Sequence, residues 1–193
     1  MEMELNVQPN ASSPVAMGDF MDPQKIVGYF GVTEGMKVAD FGSGAGHFTI
    51  LLSKLVGENG IVAAVDVMES ALDGLRAKAK AEGLKNIETT RGNLEVLGGS
   101  GLANDSQDMV LIANSLFQNQ NKQAMIQEAR RVLKQVGTMI IIEWKKNSGG
   151  FGPPDNLRID EDQMKQLAMD NGFALASSIN AGTFHYGLSF KKS

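Results

Sequence analysis

The sequence contains no cysteine among its 193 residues, and it has only two histidines, two tyrosines and one tryptophan. Without cysteine the chain forms no disulfide and offers no thiolate as a metal ligand or nucleophile. No apolar run approaches the roughly 18 residues that a membrane helix needs. The first 14 residues lack the basic and then apolar pattern of a secretory signal. We therefore expect a cytoplasmic protein that has no membrane partner.

Positive charge is also sparse. The chain has 18 Lys and Arg against 22 Asp and Glu, which gives a net charge of −4. The basic residues are scattered, whereas nucleic-acid-binding proteins usually concentrate them on one face. The polar, aperiodic residues 1–19 are predicted to form a flexible N-terminal arm. Residues 20–193 are predicted to form a single domain, since one core suffices for a chain of this length.

From residue 37 onward, short β-branched runs alternate with amphipathic segments, a pattern typical of a parallel sheet whose strands are buried on both faces. The pattern predicts strands at 37–41, 60–66, 86–90, 108–113 and 137–144, and helices at 47–56, 70–82, 122–134 and from Asp160 to about Gly172. A further helix is expected from the Asp22 N-cap to Phe30. Two last strands, 173–179 and 184–190, flank a turn at 180–183 and form an antiparallel pair.

A glycine-rich turn follows the first predicted strand, in the segment Val38–His47. Gly42, Gly44 and Gly46 are spaced G-x-G-x-G, and Asp40 precedes them by two residues. Glycines allow a tight turn and a close approach of the backbone to a ligand. A dinucleotide-binding turn would place its third glycine at position 47, where this chain has His47. An acid at position 40 suits a ligand that carries an ammonium group.

Three further polar positions follow the ends of predicted strands. Asp66 ends the second strand and can accept hydrogen bonds from both hydroxyls of a ribose. Asn93, between Gly92 and Leu94, follows the third strand and can pair with the edge of an adenine. Asn114 follows the fourth strand. Because open α/β sheets bind ligands at the carboxyl ends of their strands, these residues are expected to share one site.

Taken together, these motifs resemble those of class I S-adenosylmethionine (SAM)-dependent methyltransferases, over roughly residues 20–191. The sequence is similar to the ubiquinone/menaquinone-biosynthesis branch, and residues 130–134 with Gly137 resemble its "RVLKpGG" stretch. The resemblance implies a Rossmann-like α/β fold with a seven-stranded sheet of order 3-2-1-4-5-7-6, an antiparallel strand 7 and helices on both faces. It implies SAM as cofactor and S-adenosylhomocysteine as product. The implied cofactor contacts are Asp40, Gly42, Ser43, Gly44, Gly46, Asp66, Val67, Gly92, Asn93, Leu94, Asn114 and Ser115.

The resemblance also has departures. Asn93 replaces a commoner aspartate, Thr138 replaces the second glycine of "pGG", and Leu116-Phe117-Gln118 replaces an aromatic–histidine pair. The segment 113–116 lacks the N-P-P-[YF] or D-P-P-[YF] element expected for N6 methylation of nucleic acids. Together with the low positive charge, this favours a small-molecule acceptor. An NAD(P)-binding oxidoreductase and a non-catalytic SAM-binding protein remain as alternative interpretations.

Catalytic candidates lie near the ends of the last strands. Glu143 can serve as a base or a substrate anchor, and Trp144 as a wall for the sulfonium; both can equally be an ordinary strand end. His185 and Tyr186 on the final hairpin are placed at the pocket mouth, with a surface position as the alternative for His185. The sequence predicts no metal site.

One loop after the fifth predicted strand is interpreted either as a substrate lid or as a plain connecting loop. Residues 149–156 contain Gly152-Pro153-Pro154, a stiff segment that is poor in hydrogen-bond donors. Arg158 follows, and it either grips a carboxylate or phosphate of the acceptor or pairs with Asp160 or Glu161.

Overall fold

The computed structural model describes residues 20–193. The predicted arm, residues 1–19, lies outside the described residues. The strands are β1 (Lys37–Phe41), β2 (Ile61–Asp66), β3 (Ile87–Arg91), β4 (Gln107–Ala113), β5 (Leu133–Trp144), β6 (Phe173–Ile179) and β7 (His185–Lys192). The α-helices are α1 (Pro23–Ile26), α2 (His47–Val56), α3 (Glu69–Ala81), α4 (Lys122–Val132) and α5 (Glu161–Asp170).

The seven strands form one sheet of order β3-β2-β1-β4-β5-β7-β6. Neighbours from β3 to β5 pair in parallel, whereas β7 runs antiparallel to both β5 and β6. The predicted fold class and strand order are therefore confirmed. The carboxyl ends of β1, β2 and β4 meet at one edge of the sheet, and the amino end of β7 reaches the same edge beside Trp144.

Each face of the sheet has its own core. On one face α1 and α2 contribute Ile26, Phe48 and Leu52, which pack against Ile140 and Ile142 of β5. On the other face α4 and α5 pack against the alternate residues of β5 and β7. Because side chains alternate along a strand, this division fixes the direction in which each residue at the carboxyl edge projects. No helix within residues 20–193 is long and apolar enough to cross a membrane.

Most predicted elements match within one or two residues, but two differ. The helix expected from Asp22 to Phe30 is α-helical only to Ile26 and continues as a 3-10 turn over Val27–Tyr29. The fifth strand starts at Leu133, four residues early, because α4 ends at Val132 and the chain turns directly into extended backbone. Asp160 is the N-cap of α5, and its carboxylate accepts a hydrogen bond from the Asp162 N–H.

Candidate cofactor and acceptor site

The glycine turn joins β1 to α2 through three left-handed residues. Gly42, Gly44 and Gly46 have φ values of 73°, 51° and 81°, a region that other residues rarely adopt. A Cβ on Gly42 would lie 2.2 Å from Ser115 Oγ. One on Gly46 would lie 2.3 Å from a methyl carbon of Leu75, whereas one on Gly44 would meet nothing within 4 Å in the described chain. Gly42 and Gly46 are thus required by packing, and Gly44 faces open space.

Asp66 anchors this turn from the end of β2. Its carboxylate accepts hydrogen bonds from the backbone N–H groups of Gly44 and Met68, both at 2.8 Å. The side chain is half-buried and lines the cavity at the carboxyl edge. Asp66 therefore shapes the glycine turn in addition to facing the cavity, a role that its position alone did not reveal.

Asp40 is buried beneath the same turn, with 2% of its surface exposed. Its carboxylate accepts a hydrogen bond of 2.6 Å from the Thr49 hydroxyl of α2. Burial raises the pKa of Asp40 to about 6, the Thr49 hydrogen bond opposes that rise, and the charge of Asp66 adds to it. The site thus holds a carboxyl group whose ionised form an adjacent cation would stabilise.

Two cavities meet at the carboxyl edge of the sheet and share Gly42, Gly44 and Asn114. The first, of about 370 Å³, is also lined by Asp66, Val67, Met68, Ala71, Asn93, Leu94, Glu95, Ser115, Gln118 and Asn119. The second, of about 240 Å³, is also lined by Met21, Pro23, Asp40, Ser43, Ala45, His47, Phe48 and Ala113. A larger groove of about 700 Å³ lies beside Ser53 and Asn86 and contains none of the predicted site residues.

The wall after β3 is held by a buried carboxylate of α4. Glu128 is fully buried; it accepts hydrogen bonds from the Gly98 and Ser100 N–H groups and pairs with Arg131 at 2.7 Å. The loop that it holds packs against Gly92, where a Cβ would lie 2.3 Å from the Gly99 carbonyl oxygen. Gly92 therefore serves packing and does not line the cavity.

Within that wall, the side-chain oxygen Oδ1 of Asn93 accepts a hydrogen bond from the Glu95 N–H at 2.9 Å. Its amide nitrogen is the donor that remains for a ligand. Leu94 is 5% exposed and belongs to the core, so its contribution to the cavity is small.

The turn after β4 supplies the boundary between the two cavities. Asn114 adopts a left-handed φ of 50°, and its Oδ1 is buried without a hydrogen-bond partner in the described structure. Ser43 Oγ, in the second cavity, is likewise buried and unpartnered within residues 20–193. Buried polar atoms without a partner are uncommon in proteins, so these two atoms are candidate contacts for a polar ligand.

The four catalytic candidates separate onto opposite faces of the sheet. Tyr186 is 3% exposed, lies in the α4/α5 core and donates a hydrogen bond from its hydroxyl to the Ile159 carbonyl. Glu143 pairs with it in register and projects to the same face. Trp144 and His185 project to the α1/α2 face, where the second cavity lies. The expectation that Trp144 and Tyr186 share one pocket is therefore wrong. Tyr186 pairs with Glu143, and Trp144 is the next residue along β5, so its side chain points to the opposite face.

Glu143 is also not placed to serve as a base. Its side chain is 1% exposed, and it accepts hydrogen bonds from the N–H groups of Ser115 at 2.9 Å and Leu116 at 2.7 Å. Burial raises the pKa of Glu143 to about 7, although these N–H donors oppose the rise. The carboxylate is occupied by these backbone hydrogen bonds and does not face the second cavity.

His185 is the first residue of β7. Both of its ring nitrogens are buried and have no hydrogen-bond partner in the described chain. Its ring packs against Trp144 with the ring centroids 4.0 Å apart. Burial, together with the charges of Lys145 and Arg158, lowers its pKa to about 4. The imidazole is thus neutral at pH 7 and can both donate and accept a hydrogen bond.

Arg158 fastens the 149–156 loop onto Trp144. Its guanidinium donates to the carbonyls of Lys145, Phe151 and Pro153, and its centre lies 5.6 Å from the centre of the Trp144 ring. The only carboxylate within ion-pair distance in the described chain is that of Asp155, at 4.0 Å. The predicted pairing of Arg158 with Asp160 or Glu161 is therefore wrong, and the predicted grip on an acceptor stays a prediction. The loop is held in place, because the guanidinium donates hydrogen bonds to the loop carbonyls of Phe151 and Pro153.

An aromatic cluster at this end of the sheet is absent from the sequence-based prediction. Phe20, Phe151 and Phe184 pack with ring centroids 4.9–5.3 Å apart. Phe20 precedes Met21, which lines the second cavity. The three residues lie far apart in sequence and follow no shared period, so no local pattern brings them together.

The fold and the site together define a class I SAM-dependent methyltransferase. A family model described as "Methyltransferase domain" matches residues 32–181, and the chain belongs to that family. It therefore uses SAM, and the interpretation as an NAD(P)-binding oxidoreductase is excluded.

Individual relatives agree with this assignment. The chain is similar to the crystal structure of a SAM-dependent methyltransferase from Aquifex aeolicus, with 30% identity, a TM-score of 0.83, and coverage of 91% of this chain and 92% of that one. It is 34% identical to the ubiquinone/menaquinone biosynthesis C-methyltransferase UbiE of Shewanella pealeana over 60% of its own length. That match spans only 45% of the UbiE chain. An arsenic(III) methyltransferase from Chlamydomonas reinhardtii, 21% identical over 83% of this chain and 64% of that one, has a TM-score of 0.67 and shows the fold alone.

Proposed function

We propose that this methyltransferase binds SAM across the two cavities and methylates a small molecule that enters from the α1/α2 face. The observation that carries the proposal is the buried, unpartnered Asn114 Oδ1 at the point where the two cavities meet. The adenosine half fits the first cavity, where Asp66 can accept from the ribose and the Asn93 amide can donate to the base. The amino-acid half fits the second, where Asp40 and Asn114 Oδ1 face its ammonium group.

SAM supplies a methyl carbon already activated by the sulfonium, so the protein mainly positions the acceptor and excludes water. A base is required only for an acceptor that must lose a proton. Trp144, His185 and the aromatic cluster lie on the same face of the sheet as the second cavity, which supports an acceptor subsite there. His185 offers that subsite its single buried imidazole, which can fix the orientation of a polar group on an otherwise apolar acceptor.

The acceptor is best sought directly. Purified enzyme is incubated with SAM labelled in its methyl group and a library of small metabolites, with an RNA and a protein fraction in parallel. We expect label in the metabolite arm only. Label confined to the RNA or protein arm would contradict the small-molecule assignment and leave the SAM site untouched.

Replacing His185 with leucine is expected to make the protein more stable and less active. A buried polar group without a partner carries an uncompensated desolvation cost, so its removal should raise the free energy of unfolding by about 1 kcal/mol and the melting temperature by roughly 2–4 °C. Turnover of the identified acceptor should fall about tenfold or more, with SAM affinity unchanged.

The matched control is Tyr186→Phe, the neighbouring residue on the opposite face, which should keep wild-type turnover and SAM affinity. A His185→Leu enzyme with full turnover would remove His185 from the acceptor subsite.

The affinity for SAM is expected to fall as the pH drops through 6. Asp40 is protonated in the folded protein below its raised pKa of about 6, and the neutral acid attracts an ammonium group poorly. If only the ionised form binds, affinity at pH 5.5 is about fourfold below that at pH 7.5. Calorimetric titration at both pH values measures this.

The same shift acts on the protein without ligand. A carboxyl with a raised folded pKa contributes stability that is present below its unfolded pKa of 3.8 and is lost as the pH rises through about 6. SAM binds the protein whose Asp40 is ionised, and that form predominates at pH 7.5. SAM should therefore raise the melting temperature more at pH 7.5 than at pH 5.5. Asp40→Asn separates this effect from the titration of Glu143. In this variant the gain in melting temperature caused by SAM should be nearly the same at the two pH values. If the gain in Asp40→Asn still differs between the two pH values as in the wild type, a group other than Asp40 causes the pH dependence.

A further inference from the structure

The turn after β4 is held by two consecutive residues of β5. The Asn114 N–H donates to the Ile142 carbonyl at 2.8 Å. The next two N–H groups, of Ser115 and Leu116, both donate to Glu143 Oε1. Three successive backbone donors are thus fixed by the end of one strand. Two of the three hydrogen bonds depend on a single side chain.

This turn has conformational strain that needs support. Asn114 adopts φ 50°, a left-handed conformation that is uncommon for residues other than glycine. The following residue, Ser115, is 5% exposed and sits against Gly42, at a point where even a Cβ would not fit. The strained turn is therefore wedged between the glycine turn and Glu143, and its geometry sets where Asn114 Oδ1 points.

We propose that Glu143 is a positioning residue for SAM, which acts through the 114–116 turn to hold Asn114 Oδ1 at the junction of the two cavities. Glu143 lines neither of these two cavities. The residue is 1% exposed, and its carboxylate accepts from the N–H groups of Ser115, Leu116 and, at 3.3 Å, Trp144. The inference rests on the proposed function, because it requires that Asn114 contacts SAM.

The test measures SAM affinity by calorimetry in Glu143→Ala, Glu143→Gln, Asn114→Ala and the double variant Glu143→Gln/Asn114→Ala. Alanine removes every acceptor, and we expect a loss of tenfold or more. Glutamine keeps one acceptor oxygen for Ser115 and Leu116 but turns an amide donor toward the Trp144 N–H. It should restore most of the affinity and leave a loss of about threefold. Asn114→Ala alone should lose about tenfold.

The double variant distinguishes positioning from general support of the fold. If Glu143 acts through Asn114, the threefold loss of Glu143→Gln disappears in the Asn114→Ala background. Additive losses, or wild-type affinity in a folded Glu143→Ala or in Glu143→Gln, would overturn the inference. The double-variant comparison uses only glutamine at position 143, so it decides the matter even if Glu143→Ala does not fold.

One further variant keeps the outcomes apart. Asp108→Asn alters a half-buried carboxylate at the opposite end of the sheet, which accepts from Lys37 N–H and Lys134. It should lower the melting temperature without changing SAM affinity. Should Asn114→Ala bind SAM like the wild type, the proposed cofactor placement fails. Should Asn114→Ala weaken binding while both Glu143 variants do not, only the positioning role fails.

Discussion

Gly42→Ala is expected to lose SAM affinity by a hundredfold or more and to destabilise the fold by about 3 kcal/mol. A Cβ at position 42 meets Ser115 Oγ at 2.2 Å, and the residue keeps φ 73°. Backbone strain of this kind costs about 1–3 kcal/mol, and overpacking adds a similar amount. Relief of the overlap must push apart the glycine turn and the 114–116 turn, which both line the two cavities.

Gly44→Ala is the matched control, because Gly44 is in the same turn and is also left-handed. A Cβ there meets nothing within 4 Å in the described chain, so its cost is conformational strain alone, about 1 kcal/mol. Thermal unfolding and calorimetric titration of the two variants measure both effects. Equal losses of stability in the two variants would show that the contact with Ser115 is unimportant.

Asp66→Ala is expected to weaken SAM binding by about 2 kcal/mol, which corresponds to roughly thirtyfold. The substitution removes the acceptor proposed for the ribose hydroxyls. It also removes the carboxylate that holds the Gly44 and Met68 N–H groups at 2.8 Å. Asp66→Asn retains one acceptor oxygen and should give an intermediate loss.

Asp73→Ala provides the control for Asp66, since it removes a carboxylate from α3 that pairs with Arg76 on the surface. Surface ion pairs contribute about 0–1 kcal/mol, so SAM affinity should not change. A folded Asp66→Ala protein with wild-type affinity for SAM would show that Asp66 does not contact the ribose.

The fold could be predicted from the sequence because its determinants are local. Buried strands leave continuous β-branched runs such as 137–144, and the glycine turn marks the point where β1 leads into α2. Asp40 and Asp66 could be chosen because a parallel sheet brings the carboxyl ends of its strands together. The boundary between α4 and β5 was less accurate, since no proline or glycine separates Val132 from Leu133.

The roles of the buried carboxylates could not be predicted in this way. Glu143 and Ser115 are 28 residues apart, as are Glu128 and Ser100, and neither pairing follows a sequence period. Only packing brings these groups together. Strand alternation separates Trp144 from Tyr186 only once the register of β5 and β7 is known. That antiparallel register pairs Trp144 with His185 and Glu143 with Tyr186. That register became visible only in the structure.

Calorimetric titration of the wild-type protein with SAM, S-adenosylhomocysteine and NAD tests the central claim most directly. The account predicts that the first two ligands bind at one site per chain and that NAD does not bind. It further predicts that Gly42→Ala weakens the binding of both by a hundredfold or more. Binding of NAD without binding of SAM would contradict the assignment of the glycine turn, Asp40 and Asp66 to a SAM site.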